Sequence, residues 1–277
     1  MAVALALLLS TYAGIVAGVA FLIVYRPNYS WYWALVAVTV GVTLAARVRN
    51  GGLSVLSSVG ATVVAPERRV GLHEAVERLA GLADIPVPEL ALVDTDAANA
   101  LAVGLTRRRS VVVVTRGLIH ELEPRELEAV LAHEIAHLAH RDAAVMTAVA
   151  GPRLLGEVLV GGSAEGAGII WTLIWPLGML PLGIGTALTL TVSRYREYAA
   201  DRGAVLLTGA PEQLMSALRT LAAGATEIPH DDLRAVNAFC IVSTAVRRFG
   251  VLSDHPPLEK RLERLEQMAR NLGKVEA

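Results

Sequence analysis

Glu123-Pro124-Arg125-Glu126-Leu127-Glu128-Ala129-Val130-Leu131-Ala132-His133-Glu134-Ile135-Ala136-His137 is the stretch on which the reading of this chain turns. Pro124 suits a first helical position, and the acids around it suit a first turn, so a long helix starts here. His133 and His137 are four residues apart and therefore lie on one face, one turn apart. Both imidazoles can reach a single metal ion, and Glu134 stands where it can take a proton from a water beside that ion. Zinc lowers the pKa of such a water to about 7. Glu121, Glu123, Arg125, Glu126, Glu128, Arg141 and Asp142 make the helix amphipathic and soluble in character.

A zinc site of this kind needs a third protein ligand, with the fourth position left for water. The chain offers three candidates. His140 shares the face of the two histidines but lies a rise of about 10.5 Å from His133. That is too far for three ligands at about 2.0 to 2.1 Å from one ion, and His140 reads as a helix-end residue, either on the surface or behind a ligand. Glu157 lies in an apolar segment, where Arg153 four residues earlier is its natural partner. Glu197 opens a polar helix and is the preferred ligand. Asp201, four residues on, shares its face and can accept the free N–H of a ligating histidine.

The composition outside this motif is that of a membrane protein. The chain has 277 residues, 54% of them apolar and only 18% charged, with a mean hydropathy of +0.50. A typical soluble domain carries roughly 25% charged residues. The net charge of −1 gives no nucleic-acid footprint. The single cysteine, Cys240, excludes an internal disulfide and a cysteine zinc site. Up to Ala46 the only charged side chain is Arg26, and two apolar runs, 2–25 and 30–46, flank it. The first fits a membrane span well, and the second is near the short limit. Tyr25, Tyr29, Trp31, Tyr32 and Trp33 cluster between them, as rings do at a membrane boundary. The first run lacks the basic start of a signal peptide. Arg47 and Arg49 then place the following chain in the cytoplasm.

A third apolar region covers 143–192. His133 and Glu197 must face one side of the membrane to share an ion, so an even number of crossings separates them. A two-span hairpin is preferred, with its turn at 163–168. A re-entrant loop kinked at Pro176 and Pro181 is the alternative.

Between these regions the pattern is that of a folded domain. Arg69 to Ala83 has helical periodicity, and Glu89 to Val93 and Ser110 to Thr115 read as strands. Pro211 to Ala223 and the Leu258, Leu262, Leu265, Leu272 stripe read as helices. The fold class is therefore mainly α with a small β-sheet, plus about four transmembrane helices. The organisation is an N-terminal membrane hairpin (1–48), the first part of a cytoplasmic catalytic domain (49–142), a second hairpin (143–193) and the second part of that domain (194–277). His73, His120 and His230 have no partner at metal spacing.

His133-Glu134-x-x-His137 followed by Glu197-x-x-x-Asp201, with apolar segments before and between, resembles the M48 peptidases, and within them the HtpX-like membrane zinc endopeptidases. Asn99-Ala100-Leu101-Ala102-Val103-Gly104 resembles the family's N-A-x-A-x-G segment. Asp254-His255-Pro256-Pro257 with Arg261 resembles its H-P-x-x-x-R segment. The likeness covers nearly the whole chain in the same order. It implies a zincin-like metalloprotease domain holding one Zn2+ on His133, His137 and Glu197. Glu134 would be the general base, and His255 would stabilise the oxyanion or orient substrate. Asn99 and Ala100 would lie on an edge strand that holds a substrate backbone. Two departures stand out: Asp254 sits where a small hydroxyl residue is common, and His140 replaces an asparagine or lysine.

The reaction expected from this resemblance is endoproteolysis of polypeptides, with misfolded membrane proteins as substrates. The location expected is the plasma membrane, with multiple passes in the lipid bilayer and the active site facing the cytoplasm. An intramembrane protease fits poorly with so charged a metal helix. A prenyl-protein protease would need more spans. A non-enzymatic scaffold would have no use for Glu134.

Overall fold

The computed structural model describes residues 60–106, 109–161, 169–224 and 256–275, with isolated positions before residue 60. Most of the expected 1–48 hairpin, the 163–168 turn, His230, Cys240, Asp254 and His255 lie outside the described residues. Contacts divide the chain into two units, one of residues 1–51 and 145–192, the other of residues 52–144 and 193–277.

The second unit holds a four-stranded sheet. Its strands are β1 (Thr62–Val63), β2 (Glu89–Val93), β3 (Ala100–Thr106) and β4 (Arg109–Thr115), in the order β1-β2-β4-β3. β4 runs parallel to β2 and antiparallel to β3, with a register shift between Val103 and Thr106. The valine run of β4 follows from burial on both faces. Val112 and Val114 enter the main core, while Val113 joins Ala91, Leu101 and Val103 in a smaller cluster. β3 forms an edge of the sheet. Thr115 N–H donates to the Asn99 carbonyl, so the odd residues of this segment turn their backbone groups to β4. By alternation Ala100 and Ala102 turn theirs to the free edge.

The helices α1 (Val70–Leu82) and α2 (Arg116–Glu121) flank the strands, and α3 (Pro124–Ala139) carries the two histidines. α3 begins with a capping box, in which the Glu126 carboxylate accepts the Glu123 backbone N–H at 3.0 Å. The sequence pattern makes α3 amphipathic, but from Ala129 to Ala136 every residue is buried. The reason is that β3, β4, α1 and α6 (Pro211–Gly224) all pack around it, and apart from Glu134 its acidic and basic side chains other than histidine, Arg125, Glu126 and Glu128, lie in its first turns. α7 (Leu258–Val275) closes on α6. Leu265 is fully buried there, whereas Leu272 is 42% exposed, because the end of the helix outruns its support.

α4 (Asp142–Gly161) and α5 (Ile169–Thr208) cross from one unit to the other. In the first unit their apolar parts bury Val149, Leu188 and Val192. The polar helix expected to begin after Val192 is the continuation of α5, a single helix of 40 residues. The chain stays helical through Pro176 and Pro181, with no kinked loop there. Among the described residues no helix is long and apolar enough to cross a membrane.

Candidate metal centre

α3 and the last third of α5 carry the site, and they approach closely because both have small residues at the crossing. A Cβ on Gly203 would fall 2.6 Å from the Cβ of Ala136, well inside contact distance. This close approach carries Glu197, six residues before Gly203, to the two histidines. The Nε2 atoms of His133 and His137 lie 3.1 Å apart. Each is 3.6 Å from a different oxygen of Glu197.

The other ring nitrogens face carboxylates. Nδ1 of His133 is 3.1 Å from Oδ1 of Asp201, and Nδ1 of His137 is 2.5 Å from Oδ2 of Asp142. A ring nitrogen facing a carboxylate carries the proton, so both Nε2 atoms turn lone pairs inward. Two imidazole lone pairs and a carboxylate then converge, and they repel unless something positive lies among them. Burial opposes protonation of His133, yet Asp201 and Glu197 outweigh it and lift its pKa to about 9. Without a metal ion the cluster therefore attracts a proton.

The separations also suit a metal. Ligands at about 2.0 to 2.2 Å from a tetrahedral zinc stand about 3.3 to 3.6 Å from one another. The donor set fits that ion, its 3.1 and 3.6 Å separations lie just below and at the top of that range, and these three residues form the candidate metal cluster among the described residues.

Glu134 is buried beside the pair. Burial raises its pKa, against the pull of the imidazoles of His137 and His133. The backbone of Ala102, on the free edge of β3, works against that rise. The helix that carries the general-base candidate packs against the edge strand.

Behind the cluster, Arg261 from α7 is buried against Asp201. Its Nη2 is 2.6 Å from Oδ1 and its Nε 2.9 Å from Oδ2, and its Nη1 is 3.6 Å from Glu197. Burial raises the pKa of Asp201, but the guanidinium of Arg261 and the imidazole of His133 more than reverse this and hold it below its ordinary value. On the other side Nε of Arg196 lies 3.0 Å from Oδ2 of Asp142.

The rejected ligands are elsewhere. Glu157 pairs with Arg153 at 2.9 Å, and His140 is an exposed cap of α3. His73 has Nδ1 3.0 Å from the Arg69 carbonyl and Nε2 3.1 Å from that of Val64. Ala100 begins the edge strand and Asn99 directly precedes it, its N–H donating to Thr115 Oγ1 at 2.8 Å. Sequence reasoning missed Asp142, Arg196 and Gly203. Asp142 and Arg196 look like charges flanking an apolar region, and a lone glycine in a helix carries no signal of what it faces.

An H-E-x-x-H helix, a carboxylate from a second helix and an edge strand alongside define a metallopeptidase. Residues 66–269 match peptidase family M48, and the chain belongs to that family. It is 35% identical over 269 residues to protease HtpX homolog 2 of Methanosarcina mazei, with 91% of each chain covered. It is 39% identical over 253 residues to the protease HtpX homolog of Moorella thermoacetica, with 84% of each covered. It is 34% identical over 261 residues to protease HtpX homolog 1 of Streptomyces coelicolor, covering 88% of this chain and 86% of that one. The crystal structure of S. mikatae Ste24p shares the fold, with a TM-score of 0.53 at 18% identity. The match covers 91% of this chain and 62% of the Ste24p chain.

Proposed function

We propose that this chain is a membrane-bound zinc endopeptidase with one Zn2+ held by His133, His137 and Glu197. The observation that carries the reading is the meeting of two Nε2 atoms and the Glu197 carboxylate within 3.6 Å, with Glu134 buried beside them. When bound, zinc polarises a peptide carbonyl and makes hydroxide available near neutral pH. Glu134 accepts the proton of the attacking water and returns it to the leaving amine. Its raised pKa favours that second transfer. Asp201 and Asp142 hold the histidine tautomers. His255, six residues before the anchored Arg261, is assigned to the oxyanion.

The substrate is an extended polypeptide that adds to the free edge of β3 at Asn99 and Ala100. The packing of α3 on β3 supports this, since it brings the helix of the base to the strand the substrate would pair with. Membrane attachment is supported by the apolar runs before Arg47 and within 143–192. It is supported too by Trp31, Leu35, Val38 and Val42, exposed helical residues at the spacing of one face. The proposed place is the plasma membrane with the site on the cytoplasmic side, and the proposed substrates are misfolded membrane proteins.

The test uses the full chain in detergent. About one zinc per chain is expected, together with cleavage of an unfolded protein such as casein. Glu134→Gln should retain zinc and lose at least about a hundredfold in rate. Equal cleavage by this variant and the wild type would end the enzyme reading.

A further inference from the structure

Each histidine of the cluster is backed by a carboxylate, and each carboxylate by an arginine. The His133 side uses Asp201 and Arg261. We propose that Asp142 and Arg196 are the equivalent positioning residues for His137. Asp142 sets the tautomer and ring plane of His137, and Arg196 acts on the histidine only through Asp142. The inference rests on the zinc reading above.

Three observations carry it. His137 is the least buried of the three ligands, with 12% of its side chain exposed against 1% for His133. Packing alone therefore constrains its ring less, and a hydrogen bond has to fix which nitrogen faces inward. Oδ2 of Asp142 supplies that bond at 2.5 Å, from an almost fully buried residue.

The second observation is the backbone that delivers Asp142. α3 ends at His140, and Arg141 then takes a left-handed conformation, φ 56°. Glycine is the usual residue just past a helix end in that conformation. A side chain there costs roughly 1 to 2 kcal/mol. The turn swings residue 142 back over residue 137, five positions earlier. Such strain persists where surrounding contacts over-determine it.

The third is the arrangement of donors. Arg196 Nε lies 3.0 Å from the Asp142 oxygen that faces His137. Arg196 Nη2 also comes within 3.5 Å of His137 Nδ1. Guanidinium is donor-only, and Nδ1 already carries its proton toward Asp142, so this approach is not a hydrogen bond. The attraction between Arg196 and His137 must pass through the carboxylate. Arg196 adjoins Glu197 in α5, so one helix turn delivers a ligand to the metal and a clamp to the partner of another ligand.

The experiment measures zinc affinity of the full-length, detergent-purified chain by competition with a chromophoric chelator. It also records the visible spectrum of the Co2+-substituted protein. Asp142→Ala should weaken zinc binding about 10- to 100-fold and alter the cobalt bands. Asp142→Asn keeps an acceptor oxygen and should lose less. Arg196→Gln should weaken binding severalfold, and Asp142→Ala with Arg196→Gln should bind no more weakly than Asp142→Ala alone. Zinc affinity within twofold of wild type and an unchanged cobalt spectrum in Asp142→Ala overturn the proposal. Additive losses in the double variant overturn the claim that Arg196 acts through Asp142. If Asp142→Ala fails to fold, the same cycle with Asp142→Asn decides it. A wild-type chain that takes up no zinc overturns the metal reading itself, and this inference with it.

Discussion

The two histidines sit in surroundings built by opposite routes. His133 is backed from afar: Asp201 lies 68 residues on, and Arg261 reaches Asp201 from 60 residues further still. Every member of that chain is buried. His137 is backed from nearby, by Asp142 five residues on, and its arginine is 19% exposed. The difference separates two kinds of cost. Buried charges depend on one another, because a charge left alone out of water is expensive. A clamp whose arginine still reaches solvent can borrow water. The His133 side should therefore govern folding of the unit of residues 52–144 and 193–277, and the His137 side mainly the quality of the candidate metal site.

The largest effect on this comparison is expected from Arg261→Ala. It leaves Asp201 and Glu197 without their buried guanidinium, at a cost of about 3–5 kcal/mol. The check is the melting temperature of the chelator-treated chain, which should fall far more than in Arg196→Ala. Equal losses in the two variants would erase the distinction between the sides.

Gly203→Val tests what both sides share, the close approach of α5 to α3. Overpacking typically costs about 1–3 kcal/mol, and here the forced separation also moves Glu197 away from both histidines. We expect a lower melting temperature together with zinc loss by both metal analysis and activity. Full zinc content in this variant would show that the helices can part without disturbing the ligands.

Arg141→Gly is the mildest change. It relieves the left-handed strain but adds glycine's unfolded-state entropy, so stability should move by less than about 1 kcal/mol. Zinc affinity should stay within about twofold. Arg141→Val, whose branched side chain tolerates this conformation badly, should be clearly less stable than Arg141→Gly. If the two melt together, Arg141 is not under strain.

Much of the site was legible in the sequence because its signals are local. A histidine pair at helical spacing, a carboxylate with an acid four residues on, and acids around a proline at a helix start each declare themselves within one or two turns. The valine run of β4 and the periodicity of α1 were legible for the same reason. β3 was harder. Its alanines and Gly104 carry little strand signal, and only the resemblance of the Asn99 to Gly104 segment placed an edge strand there.

What the sequence determined by itself is the chemistry available: two imidazoles, their candidate third ligand and a base, spaced so that a helix presents them together. Only the tertiary structure decided which charges do the holding. Asp142, Arg196 and Arg261 reach the site through a left-handed turn at Arg141, the crossing at Gly203 and the docking of α7. Those are contacts between segments far apart in the chain or across a reversal of its direction. Helical periodicity describes one segment at a time, so no spacing rule predicts which buried carboxylate will meet which ring nitrogen.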